Sequence, residues 1–140
     1  MKLTRRNMLI TSSASAVAVA LGGFPAFASA TDEEIAKLTG GADITEGGIT
    51  IDAPEIAENG NTVPIGVTAP GAVAVTLFAD GNPLPAVATF KFGPLSASHT
   101  ASTRIRLAKT QNVVAIAEME DGSFQKATAN VKVTIGGCGG

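Results

Sequence analysis

The residues of this chain best suited to chemistry are its last five, Gly136-Gly137-Cys138-Gly139-Gly140, which hold the single cysteine of 140 residues. A lone thiol closes no internal disulfide. Set between glycine pairs, it has little around it with which to pack. The reactive form of cysteine is the thiolate, with an ordinary pKa near 8.5, so only about 3% is ionised at pH 7. Nothing adjacent in sequence lowers that value, and the nearest charge is the carboxylate of Gly140, which repels a thiolate. The residues therefore describe a thiol that is almost inert by itself and gains reactivity inside a partner supplying cations, a metal or a haem. Glycine on both sides adds no bulk beyond the backbone. Two or three extended residues reach roughly 7–11 Å, enough to enter a narrow cleft in another protein.

Few other side chains compete for a chemical role. His99 is the only histidine, and a soft-metal site ordinarily wants two to four ligands. No metal site and no cofactor are expected. Within Ser96-Ala97-Ser98-His99-Thr100, His99 reads as part of a polar strand face or loop. Arg104 and Arg106 share one strand face and read as solvated. Nucleophile-elbow, phosphate-loop, HExxH and CxxC patterns are missing. The Gly40-Gly41 and Gly47-Gly48 pairs lack the strand–glycine–helix setting of a phosphate site. A self-sufficient enzyme is not expected.

These residues must be carried by a body, and the N-terminus says where that body works. Lys2, Arg5 and Arg6 precede an apolar stretch from Met8 to Phe27, and Ala28-Ser29-Ala30 supplies an A-x-A cleavage site before Thr31. Arg5-Arg6 followed by Asn7-Met8-Leu9-Ile10 resembles a twin-arginine signal, so export to the periplasm in a folded state is expected. Gly22, Gly23 and Pro25 break the apolar stretch and make it a poor membrane anchor. Residues 1–30 are thus read as the signal, 31–135 as one domain, and 136–140 as a flexible arm. The signal holds three of the ten basic residues and none of the twelve acidic ones, which leaves the remainder at a net charge of −5. That excess disfavours nucleic acid, which is bound by neutralising phosphates. Trp and Tyr are absent, which disfavours stacking on sugars or bases.

The body reads as β-structure. Thr31-Asp32-Glu33-Glu34 forms a capping-box pattern for a short helix containing Ile35 and Leu38. Beyond Gly40-Gly41 the period is two. Alternation runs through Ile49–Asp52, Val63–Val67, Val73–Leu77 and Val87–Phe92. It resumes through Ala101–Leu107, Asn112–Glu120 and Ala127–Ile135. Turn signals at Asn59-Gly60, Asp80-Gly81-Asn82-Pro83 and Asp121-Gly122 separate the runs. About seven strands at this spacing predict an all-β, immunoglobulin-like antiparallel sandwich.

Val131-Lys132-Val133-Thr134-Ile135 leading into Gly136-Gly137-Cys138-Gly139-Gly140 resembles the end of the SoxY family, the sulfur carriers of periplasmic thiosulfate oxidation. The twin-arginine leader and the stretch Ile51–Gly60 with Val63-Pro64-Ile65 are also similar to that family, so the resemblance covers essentially the whole chain. It implies that Cys138 is a covalent carrier. On the same resemblance, a c-type cytochrome pair, SoxAX, is expected to join thiosulfate to it as Cys–S–S–SO3⁻. The dimanganese hydrolase SoxB is then expected to release sulfate, and the sulfane dehydrogenase SoxCD, where present, to oxidise the remaining sulfur. It further implies a heterodimer with SoxZ, an immunoglobulin-like partner exported with the carrier. Two other readings remain: a carrier using its terminal carboxylate as a thiocarboxylate, which needs ATP-dependent adenylation, and an interaction module joined through an intermolecular disulfide.

Overall fold

The computed structural model describes residues 29–136, and its architecture is two facing β-sheets with one helix. Helix α1 spans Ala30–Thr39. Its cap is Ser29, not Thr31: the Ser29 hydroxyl accepts from the Asp32 amide at 3.1 Å, and the Ser29 amide donates to the Asp32 carboxylate at 3.2 Å. The capping box therefore starts two residues earlier than the Thr31–Glu34 pattern suggests. Thr31 is buried in the first turn instead, and its hydroxyl has no hydrogen-bond partner among the described residues. Gly40, at φ 65, ends the helix in the left-handed conformation that glycine adopts without strain.

Nine strands follow: β1 Ile44–Glu46, β2 Thr50–Asp52, β3 Ile56–Ala57, β4 Val63–Thr68, β5 Ala72–Ala79, β6 Ala86–Lys91, β7 Thr100–Ile105, β8 Gln111–Met119 and β9 Phe124–Val133. The larger sheet has the order β1-β9-β8-β5-β6, with β3 also on β9, and the smaller has the order β2-β4-β7. All seven expected runs contain strands. The additions are β1 and β3, of three and two residues, too short to show a period. Both lie parallel to β9, so the larger sheet is mixed and not purely antiparallel. β9 also ends at Val133, two residues before the Ile135 that alternation alone suggests.

The core lies between the sheets. Val63, Ile65 and Val67 from β4 meet Val75 and Leu77 from β5 and Val113 and Ala115 from β8, every one of them 2% exposed or less. A second apolar layer covers the outer face of the larger sheet. There Ile35 of α1 packs with Phe78, Val114, Ile116 and Phe124, and Ile44 joins at the margin. This layer explains why Leu77–Ala79 and Val113–Ala117 are continuously apolar, since both faces of those strand segments are covered. Among the described residues, no helix is long and apolar enough to cross a membrane.

Candidate functional site: the root of the thiol arm

Cys138, Gly137, Gly139 and Gly140 lie outside the described residues, as do Arg5, Arg6 and Ala28. Ala30 and Thr31, placed at the predicted cleavage junction, occupy the first turn of α1, the former exposed and the latter buried. The described chain ends at Gly136, two residues before the thiol. The site on view is therefore the part of the body from which the cysteine-bearing end departs.

That part is built by β9 and the loops on either side of its exit. Val131 is fully buried opposite Gln111 of β8. The Lys132 amide donates to the Glu55 carbonyl at 2.9 Å, and the Thr134 amide to the Ala57 carbonyl at 3.1 Å. On the other side, the Val133 amide donates to the Thr110 hydroxyl at 2.9 Å. The Thr134 hydroxyl donates to the Glu58 carbonyl at 3.0 Å. Beyond the strand proper, the Gly60 amide donates to the Ile135 carbonyl at 2.8 Å, while the Gly60 carbonyl accepts from Leu107 at 2.7 Å. The backbone is held by partners through Ile135.

Gly136 completes the seat. Any Cβ placed there would overlap the carbonyl oxygen of Ala108. Its glycine is therefore required by a close approach between two backbones, with no positive φ involved. Gly136, expected to open the arm, lies against the Ala108 carbonyl.

Ala108 is itself held by a side-chain network. The Ala108 amide donates to Asn82 Oδ1 at 2.9 Å, and Asn82 Nδ2 donates to the Arg106 carbonyl at 2.7 Å. Gln111, 5% exposed, uses every polar atom of its amide. Its Oε1 accepts from the Gly81 amide at 2.8 Å, and its Nε2 donates to Asn82 Oδ1 at 2.9 Å and the Lys109 carbonyl at 3.0 Å. A buried amide with all its partners fixes its surroundings, because losing any one bond strands a desolvated group. Gln111 thus sets Asn82, Asn82 sets the Arg106–Lys109 loop, and that loop sets Gly136. Sequence reading found Asp80–Pro83 and Asn59-Gly60 as turns, but not their role at the arm root. Gln111 stands among Lys109, Thr110 and Asn112, so nothing local marks it as the buried one of these polar residues.

The remaining candidates sit elsewhere. His99 Nδ1 is 2.7 Å from the Ala72 carbonyl, to which only a protonated nitrogen can donate, and its ring lies 5.3 Å from that of Phe92. It braces the loop before β7. Arg104 and Arg106 are exposed, as expected for a solvated face. Arg104 borders an open groove of about 610 Å³ with Asp52, Pro54, Pro64 and Ser102. Among the described residues, no cluster of three His, Cys, Asp or Glu is placed to hold a metal.

A family model described as sulfur oxidation protein SoxY matches residues 35–138, a span that includes Cys138. The solved structure of the sulfur carrier protein SoxY from Chlorobium limicola f thiosulfatophilum is 41% identical, with a TM-score of 0.65 over 74% of this chain and 96% of that one. A superoxide reductase (neelaredoxin) from Ignicoccus hospitalis is 18% identical, with a TM-score of 0.55 over 62% of this chain and 80% of that one. A hypothetical protein from Pyrococcus horikoshii is 15% identical, with a TM-score of 0.51 over 69% and 98%. These last two share the fold alone. No curated protein matches.

Proposed function

The chain belongs to the SoxY family of sulfur oxidation proteins, and from that premise we propose that Cys138 carries thiosulfate-derived sulfur covalently and presents it in turn to partner enzymes. One observation carries this reading. The body is pinned through Ile135 and seated at Gly136, so the only thiol follows two residues beyond a fixed base. A thiol so placed travels with the domain and is delivered by docking.

In the proposed cycle, a Cys138 thiolate and thiosulfate lose two electrons to a haem partner of the SoxAX type and form Cys–S–S–SO3⁻. The sulfur–sulfur bond forms between the cysteine sulfur and the outer sulfur of thiosulfate. Water then cleaves the S–SO3 bond in a SoxB-type hydrolase, which releases sulfate and two protons and leaves Cys–S–S⁻. A SoxCD-type dehydrogenase, where present, oxidises that terminal sulfur. In this cycle the acid, base and metal belong to the partner enzymes. This chain's contribution is to hold the covalent bond and bring it to the centre that reacts. We assign the working compartment to the periplasm, with export by the twin-arginine route and SoxZ as the heterodimer partner.

Intact-mass measurement after incubation with thiosulfate and the oxidising partner tests the reading. The expected result is added mass on Cys138 alone, with no addition and no turnover for Cys138→Ser. Normal turnover by the serine variant overturns it.

A further inference from the structure

We propose that the precursor is cut between Ala28 and Ser29, two residues ahead of the junction that Ala28-Ser29-Ala30 suggests, so that the exported chain begins with the capping residue of α1. The proposal rests on the export reading and adds to it the bond that is cleaved. Two independent observations carry it. In sequence, Ala26-Phe27-Ala28 is a second A-x-A pattern, with small residues at the third and first positions before the Ala28–Ser29 bond. In the fold, Ser29 is extended, at φ −66 and ψ 158, and α1 begins only at Ala30. The Ala28–Ser29 bond therefore precedes the helix, whereas the Ala30–Thr31 bond lies within it.

An endopeptidase takes the residues around its cut as an extended strand and acts where backbone is exposed and free of other bonds. The Ala30–Thr31 bond meets neither condition. Thr31 is 5% exposed, and the first turn is closed by the Glu33 amide, which donates to the Ser29 carbonyl at 3.0 Å. A twin-arginine substrate crosses the membrane folded, so this turn is already formed when the peptidase meets it. Cutting there requires the helix start to unwind and Thr31 to leave its buried position. Cutting before Ser29, which is exposed, leaves the turn intact. It also strengthens the cap. Water cleaves the amide to give a carboxylate on Ala28 and an ammonium on Ser29. The Ser29 nitrogen lies 3.2 Å from Asp32 Oδ2, and the Ser29 hydroxyl donates to the same oxygen at 2.8 Å. A neutral amide donor to that carboxylate thus becomes a charged one, and charge-assisted bonds are the stronger kind. Helix α1 keeps its fixed start, from which Ile35 covers Phe78, Val114 and Ile116.

The test expresses the full-length chain in a bacterium with a twin-arginine translocase and reads the exported form by N-terminal sequencing and intact mass. The expected terminus is Ser29, in a chain heavier by Ser29 and Ala30 than one starting at Thr31. Two substitutions separate the cuts. Ala26→Glu sets a charge three positions before the proposed bond and outside the A-x-A pattern of the later one, so the Ser29 terminus should be lost. Ala30→Glu sets a charge immediately before the later bond and after the proposed one, so the chain should still begin at Ser29. A wild-type terminus at Thr31 overturns the assignment. So does loss of processing in Ala30→Glu with normal processing of Ala26→Glu. A wild-type chain that stays in the cytoplasm uncut overturns the export reading itself, a result distinct from either.

Discussion

Gly60 donates its amide to the carbonyl of Ile135 at 2.8 Å, joining the turn before β4 to the chain just past the end of β9. The same glycine accepts from Leu107 at 2.7 Å, so one residue clasps both loops that surround the arm root. The glycines of the C-terminal run are not equivalent, since Gly136 lies against the Ala108 carbonyl.

Gly136→Ala forces a Cβ into the Ala108 carbonyl, so either the exit of β9 or the Arg106–Lys109 loop must move. The expected loss is about 1–3 kcal/mol, as for overpacking elsewhere. Gly93→Ala is the control, since a Cβ there meets nothing within 4 Å, and it should stay within about 0.5 kcal/mol of wild type. Urea denaturation of the two variants checks the difference.

Gln111→Leu removes the centre of the network behind Ala108. The Gly81 amide and the Lys109 carbonyl each lose a partner, and Asn82 Oδ1 loses one of two. A cost of about 2–3 kcal/mol is expected from the stranded groups, measured as a lowered midpoint in thermal or urea unfolding. Amide exchange should rise across residues 106–110 before it rises in β8.

Cleavage after Ala30, as the A-x-A pattern proposes, would remove Ser29 and with it the reciprocal bonds to Asp32. A chain beginning at Ser29 should therefore be more stable than one beginning at Thr31 by about 1 kcal/mol, the usual worth of such a cap. Chemical denaturation of the two purified forms checks this, and Ser29→Ala in the longer form should lose most of the advantage.

In the β8–β9 turn, hydrogen bonds from the Ser123 hydroxyl and amide hold the Asp121 carboxyl below its ordinary pKa. A depressed folded-state value means the contribution to stability is present at neutral pH, above the unfolded-state value, and is lost as pH falls through the folded-state value. Carbon-detected NMR titration should place the Asp121 midpoint below that of a free aspartate. Ser123→Ala should raise it.

Much of this protein is legible in its residue order because the governing physics is local. Val63, Ile65 and Val67 alternate, and all three prove to be buried on one face. Period two in a strand is a property of the backbone and needs no knowledge of neighbours. The isolation of Cys138 among glycines is equally plain, as is the chemistry of a thiol with no helper beside it. Tertiary structure alone decided the pairings between distant segments. β1 and β3 are too short to show a period, and only the edge of β9 makes them strands. The placement of α1 over Phe78, Val114 and Ile116 depends on which sheet face is left open. Gly136 reads in sequence as one more glycine of the run, and only the fold sets it against Ala108, 28 positions earlier. Such contacts follow from sheet register and loop closure, which bring together residues that no local pattern relates.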